Sequence, residues 1–242
     1  MRLIFIRHAE PDYEHDSLTK KGRYEAELLA RRTARWENIE AIFCSPLGRA
    51  QETASYTLKA LGRDAVTCDW LREFAYEVKD PVTGEIKVPW DFLPGYFTKI
   101  PEMYDKDKWL DTEIYRSNPK IKPAYNEICR RMDDLLLTNG YMRDGNMYRA
   151  DASMTDGDDE KNIVFFCHFG VTCMILSHLL GISPVILLEN TIAMPTGVTV
   201  LNSEKSQSGA LFRIQFYGDT SHLISQGEPV SGSGAFSAVF QG

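Results

Sequence analysis

No apolar run in the chain approaches the ~18 residues that a membrane-spanning helix requires. The N-terminus enters an apolar strand after one arginine, so neither a membrane anchor nor a secretory leader is expected. Excess positive charge is also lacking. The formal net charge is −7 over 242 residues, which argues against general binding to nucleic acid or to a membrane surface. Cysteine is sparse and odd in number, five in all, and Cys44, Cys167 and Cys173 lie in apolar segments. They read as buried, reduced thiols of a cytoplasmic protein. No Gly-x-x-x-x-Gly-Lys-Ser/Thr occurs, which removes the P-loop NTPases. A cysteine phosphatase needs five residues between cysteine and arginine, but Cys44 and Arg49 are separated by four, and six positions beyond Cys167 stands Cys173. The histidine and carboxylate spacing is too open for a zinc hydrolase, and no internal repeat is found.

What is present begins with a hydrophobic content of 43%, ample for one core. The length suits a single α/β domain over 1–242. Arg2 to Ile6 is a short apolar run that ends in Arg7-His8. Ile163 to Cys167 repeats the design and ends in His168-Phe169-Gly170. Each reads as a buried strand delivering a histidine at its tip, where open α/β sheets bind ligands. Thr19 is placed as the N-cap of a helix reaching to about Trp36. Ile42-Phe43-Cys44 reads as a second strand, followed by a helix with Ser45 at N-cap and Pro46 at N1 that stops at Gly62. Val66-Thr67-Cys68 reads as a third strand, and Tyr125 to Leu136 as an amphipathic helix. Val198–Leu201 and Leu211–Phe216 read as a hairpin.

Residues 76–123, rich in proline and aromatics, are expected to form an insertion or lid over the main domain. Residues 141–161 are expected to form an exposed, mobile polar loop, and the Gly/Ser-rich tail from Gly227 a loosely ordered one. The aromatics of 76–123 read as local core, with a ligand role second. Taken together, the fold class is a three-layer α/β/α arrangement around a central, mostly parallel sheet.

The strand tips gather chemistry. Arg7, His8 and His168 meet the first turn of the helix that carries Arg49, and a helix N-terminus is itself an anion site. Two arginines and two histidines form a pocket for a dianion such as a phosphoryl group. One histidine can act as nucleophile, the second as donor to the transferring group, and Glu73 as proton donor to the leaving oxygen. Glu77 and Asp91 are rival carboxyl groups. His15 and His178 read as an exposed residue and a structural one, and His222 as a brace beneath the site.

These residues carry a resemblance. Arg7-His8-Ala9-Glu10, Leu18-Thr19-Lys20-Lys21-Gly22, Ser45-Pro46-Leu47-Gly48-Arg49-Ala50-Gln51-Glu52-Thr53, Leu71-Arg72-Glu73 and His168-Phe169-Gly170-Val171 fall in the order of the motifs of the histidine phosphatase superfamily, the phosphoglycerate mutase-like proteins. Asp219-Thr220-Ser221-His222-Leu223 resembles a C-terminal motif of the phosphatase branch. The resemblance implies a phosphohistidine formed on His8, phosphoryl oxygens held by Arg7, Arg49 and His168, protonation by Glu73, and no metal or other cofactor. It implies a small phosphorylated substrate as the partner. Ala9 replaces the family's glycine. Glu14 stands where many members carry a phosphate-contacting asparagine, and Phe169 where glycine or serine is common, so Glu14 and Phe169 are candidates for substrate contact in altered form. A phosphatase that passes the group to water is the leading reading. A mutase-type phosphoryl transferase is the alternative, and a non-catalytic phosphate-binding relative comes third.

Overall fold

The computed structural model describes all 242 residues. Its frame is an eight-stranded sheet. In chain order the elements are β1 (Arg2–Arg7), α1 (Lys20–Thr33), β2 (Ile39–Cys44), α2 (Gly48–Leu61), β3 (Val66–Thr67), α3 (Ile121–Thr138), β4 (Tyr141–Asp144) and β5 (Met147–Ala150). They continue with β6 (Asn162–Cys167), α4 (Phe169–Leu180), α5 (Pro184–Asn190), β7 (Val198–Ser206) and β8 (Gly209–Asp219). The spatial order is β3-β2-β6-β1-β7-β8-β5-β4. From β3 to β1 every pairing is parallel; from β1 onward every pairing is antiparallel. The expected parallel core is therefore the half that carries the site, and a long antiparallel wing completes the sheet.

Alternation along the two central strands sorts the core into two layers. Leu3, Phe5, Ile163 and Phe165 face a large cluster that includes Ile128 and Met132 of α3 and Val171 and Ile175 of α4. Ile4, Ile6, Val164 and Phe166 face the other side, against Leu29 of α1 and Ala50 and Ala54 of α2. Phe165 stacks on Phe5 at 4.7 Å and on Phe43 at 5.5 Å, an aromatic ladder across three parallel strands. Phe5 and Phe165, both fully buried, each contribute about 2–3 kcal/mol of apolar transfer free energy, and the half-buried Phe43 less.

The register fixes the strand tips. Arg7 lies opposite Cys167, and Cys44 opposite Phe166. His8, Ser45 and His168 therefore leave three neighbouring strands at nearly the same height.

Helix boundaries depart from expectation in two places. Thr19 caps α1 as expected, its side chain accepting from the Gly22 amide, but the helix ends at Thr33 rather than near Trp36. α2 starts at Gly48, not after Ser45. Ser45 does not cap it, because a carboxylate from elsewhere, Asp16, accepts the Gly48 amide at 2.7 Å. Gly62 ends α2 in the left-handed region, with φ 61°.

The reading of 141–161 as an exposed mobile loop is corrected. β4 and β5 pair as a hairpin that extends the sheet, and Tyr141 and Tyr148 are fully buried around Phe212. Asp158 accepts from the Tyr141 hydroxyl at 2.7 Å and from Lys205 at 2.5 Å. The segment is polar because one face of an edge hairpin is wet, while its two tyrosines do the anchoring. The tail from Gly227 is not loose either. Val230 and Ser231 are buried, Lys21 holds Glu228 at 2.5 Å, and Ser231 donates to Glu10 Oε2 at 2.5 Å.

Residues 76–123 hold a small hairpin (Val78–Lys79 with Ile86–Lys87) and single helical turns. Trp90, Phe92, Phe97, Trp109 and Tyr115 join the large core cluster, as local core residues do.

Candidate active site

The parallel register brings the two histidines together at ring-centroid distance 5.1 Å. His8 is 2% exposed and His168 fully buried. His8 Nδ1 lies 2.8 Å from the carbonyl of Ala9. A carbonyl only accepts, so Nδ1 carries the proton and Nε2 keeps its lone pair. Burial first, then the Arg7 and Arg49 guanidinium groups, push the His8 pKa down to about 3 against the pull of the Ala9 carbonyl. Burial, His8 and the two arginines hold His168 well below the ordinary histidine range.

His168 Nε2 sits 2.7 Å from the Ser45 hydroxyl. That hydroxyl also accepts from the Leu47 amide at 3.3 Å, so its proton is free to go to His168. The tautomer with Nδ1–H satisfies both bonds and makes Nδ1 a donor. Nδ1 is buried and has no partner.

Both arginines follow the same plan. Arg7 Nη1 donates to the carbonyl of Ala193 at 2.7 Å, while its buried Nε has no partner. Arg49 Nη1 donates to Asp16 Oδ1 at 2.6 Å, and its buried Nε is likewise unpartnered. Every one of the four side chains is thus anchored through one nitrogen and presents another. Unsatisfied buried donors are costly, and Arg7 Nε, Arg49 Nε and His168 Nδ1 are three of them.

Further residues hold this frame. Thr53 accepts from the Ala9 amide at 3.0 Å. Thr196, at φ 58°, donates its amide to the carbonyls of Arg7 and His8 at 3.1 and 3.3 Å. His222 is 3.0 Å from the Thr196 hydroxyl. Burial, with Arg32 alongside, lowers the His222 pKa to about 4, so it braces the site as a neutral ring. The carbonyl oxygen of Ala193 and the backbone of Gly234 both lie against Arg7; a Cβ at Gly234 would come within 3.0 Å of Nη2.

Glu73 reaches the same place from outside the sheet. Its Oε1 accepts from the amides of Phe74 at 2.8 Å and Val171 at 3.0 Å, which sets the carboxyl at the N-terminus of α4, one turn from His168. A Cβ at Gly170 would lie 2.7 Å from that Oε1 and from the Trp90 ring, so glycine is required there. Phe169 lies 6.0 Å from the Arg7 guanidinium carbon and 6.4 Å from Trp90. Its ring presents an apolar surface beside Arg7.

The structure therefore gathers Arg7, His8, Arg49, His168 and Phe169, with Glu73 beside them and His222 beneath. Glu14 is not gathered: its side chain is exposed, and its amide turns back to Asp12. Asp16 takes the position toward Arg49 instead. His15 is exposed and bonds Asp12 at 2.8 Å, and His178 lies 2.9 Å from Asp133 on the other side of α4. Asp16, Ser45 in its role toward His168, Thr196 and Ala193 were not singled out by sequence. Ser45 lay in a recognised motif but read as a helix cap; Asp16 is one acid among several in a polar loop and carries no local signal.

Comparison with known proteins agrees with the geometry. Residues 3–86 match the model of the histidine phosphatase superfamily (branch 1). No curated protein sequence matches the chain. Among solved structures, a mycobacterial glucosyl-3-phosphoglycerate phosphatase superposes with TM-score 0.59 at 15% identity, covering 90% of this chain and 98% of that one. A phosphoserine phosphatase from Entamoeba histolytica, in complex with 3-phosphoglyceric acid, gives 0.57 at 19%, covering 92% and 98%. An alpha-ribazole phosphatase from Shigella flexneri gives 0.53 at 16%, covering 91% and 97%. At these identities the likeness is one of fold.

Proposed function

With the histidine phosphatase superfamily match over residues 3–86 as premise, we propose that this chain hydrolyses a small phosphomonoester through a phosphohistidine on His8. One observation carries the reading: three buried, unpartnered donors stand beside a neutral histidine whose Nε2 is free.

In the first step the Nε2 lone pair attacks phosphorus, the P–O bond to the leaving group breaks, and Glu73, entering protonated, gives its proton to the departing oxygen. Arg7, Arg49 and His168 hold the three phosphoryl oxygens and stabilise charge as it develops. In the second step the Glu73 carboxylate takes a proton from water as that water attacks phosphorus. The P–N bond breaks, and His8 is restored with inorganic phosphate as product. The cationic side chains supply the electrostatics of both steps. The fixed Nδ1 proton keeps His8 in the attacking tautomer. Phe169 and Trp90 give the leaving group an apolar wall.

A phosphoramidate survives alkali and hydrolyses in acid. Quenching in base shortly after mixing with labelled substrate should therefore trap label on the wild-type protein and none on His8→Ala. Label on Ser45 or Cys167 refutes the mechanism. The lifetime separates the two transferase classes: a hydrolase loses the adduct to water at its turnover rate. An adduct stable in water and discharged only by an acceptor hydroxyl would assign the chain to the mutase type.

A further inference from the structure

The Asp16 carboxylate is the one anion bound directly to the proposed phosphoryl cradle. Its Oδ1 lies 2.6 Å from Arg49 Nη1 and its Oδ2 2.7 Å from the amide of Gly48, the first residue of α2. The contact is built into the fold. Asp16 sits in the left-handed region at φ 45°, and its carbonyl packs so closely that a Cβ on Gly48 would lie 2.1 Å from it. Burial acts to raise the Asp16 carboxyl, but the Gly48 amide and the Arg49 guanidinium outweigh it and hold it below the ordinary carboxylate range.

Three donors, Arg7 Nε, Arg49 Nε and His168 Nδ1, have no partner of their own and are assigned to the phosphoryl oxygens by the proposed function. The two donors next to them, Arg49 Nη1 and Gly48 N, are the natural place for a second anionic group on the substrate, and Asp16 occupies both. Two cations of the following helix are committed to other partners. Lys21 is held by Glu228 at 2.5 Å and Arg23 by Glu52 at 2.6 Å, and the loop that leads to Asp16 carries two further acids, Asp12 and Glu14. Asp16 is 43% exposed in its side chain, so its charge faces the approach to Arg49.

Resting on the phosphatase reading of this site, we propose that Asp16 is a specificity-determining residue that restricts the pocket to phosphomonoesters without a second anionic group beside the phosphate. The substrate class is a phosphorylated alcohol with a neutral or cationic body, as opposed to a phosphorylated hydroxy acid or a bisphosphate. The device is electrostatic. A unit charge about 5 Å from Asp16, at an effective dielectric of about 50–70 as for a half-exposed group facing water, is disfavoured roughly five- to tenfold, and salt weakens the effect.

Glycerol 3-phosphate and 3-phosphoglycerate form a matched pair, differing by a hydroxymethyl group against a carboxylate. Both are measured by kcat/KM and by equilibrium binding, so the ratio is read even from a protein that turns over neither. The wild type should favour glycerol 3-phosphate. Asp16→Asn should move the ratio toward 3-phosphoglycerate about five- to tenfold, Asp16→Glu should keep the wild-type ratio, and half-molar salt should shrink the wild-type preference. If Asp16→Asn depresses both substrates equally at constant ratio, Asp16 only aims Arg49 and the proposal is overturned. A wild-type preference for 3-phosphoglycerate overturns it as well. Should Asp16→Asn fail to fold, the charge-retaining variant and the salt dependence of the wild-type ratio still decide. Failure to trap phosphate on His8 would sink the phosphatase reading alone, leaving the binding ratio to judge Asp16.

Discussion

Lowering the pH from 7 to 5 should reveal how His8 is held. In the unfolded chain a histidine takes up its proton near pH 6.5, whereas in the folded protein burial and the arginines keep His8 neutral down to about pH 3. Between those values the unfolded state binds more protons, so stability rises with pH and is lost as pH falls below about 6.5. At pH 5 one such histidine has cost about 2 kcal/mol, since 1.5 pH units at 1.36 kcal/mol each lie between the unfolded pKa and that pH. His168, also buried neutral, and His222, at about 4, act in the same direction. Three carboxyls raised by burial oppose them, Glu25 among them. Burial raises Asp91 to about 6 and Glu189 to about 7, so in that window each binds its proton more tightly when folded. They offset part of the loss, so the informative quantity is a difference. Urea midpoints of wild type and His8→Asn at pH 7 and pH 5 should show the variant losing about 2 kcal/mol less over the interval. An asparagine amide can still reach the Ala9 carbonyl, so the frame is kept. Equal losses in the two proteins would mean that His8 is already charged or solvated in the folded state, and the nucleophile assignment would fall with it.

Two further outcomes are expected. Glu73→Gln should depress hydrolysis of an alkyl phosphate by ~10²-fold or more while hurting p-nitrophenyl phosphate far less, because a good leaving group needs little protonation; equal losses would move the acid to another carboxyl. Gly48→Ala places a Cβ 2.1 Å from the Asp16 carbonyl, and should destabilise by about 1–3 kcal/mol in chemical unfolding through overpacking; an unchanged midpoint would show that the loop at Asp16 is free to move.

The strands and their histidine tips were legible because short apolar runs that end abruptly have few other uses. The motif order supplied Arg49 and Glu73. What escaped is of a different kind. Asp16 meets Gly48 across 32 residues, and Ser45 meets His168 across 123. Such partners are set by register and loop path, which local pattern does not encode. Tyr141 and Tyr148 were passed over because single buried aromatics in a polar segment leave composition nearly unchanged. The Gly/Ser tail read as loose for the same reason: Val230 and Ser231 are its only buried residues, and they suffice to hold it against Glu10 and α1.

The parallel register acts as a ruler. Neighbouring strands stand about 4.8 Å apart, and the two histidine rings lie 5.1 Å apart. The spacing of the two rings is thus tied to backbone hydrogen bonding, the least negotiable dimension in the protein. A one-residue slip of β6 would not merely loosen this gauge; it would turn His168 to the opposite face of the sheet. The loops beside the strand tips, Tyr13 to Asp16 on one side and the stretch around Trp90 on the other, carry no part of that measurement. They are free to be redrawn while the two histidines keep their spacing.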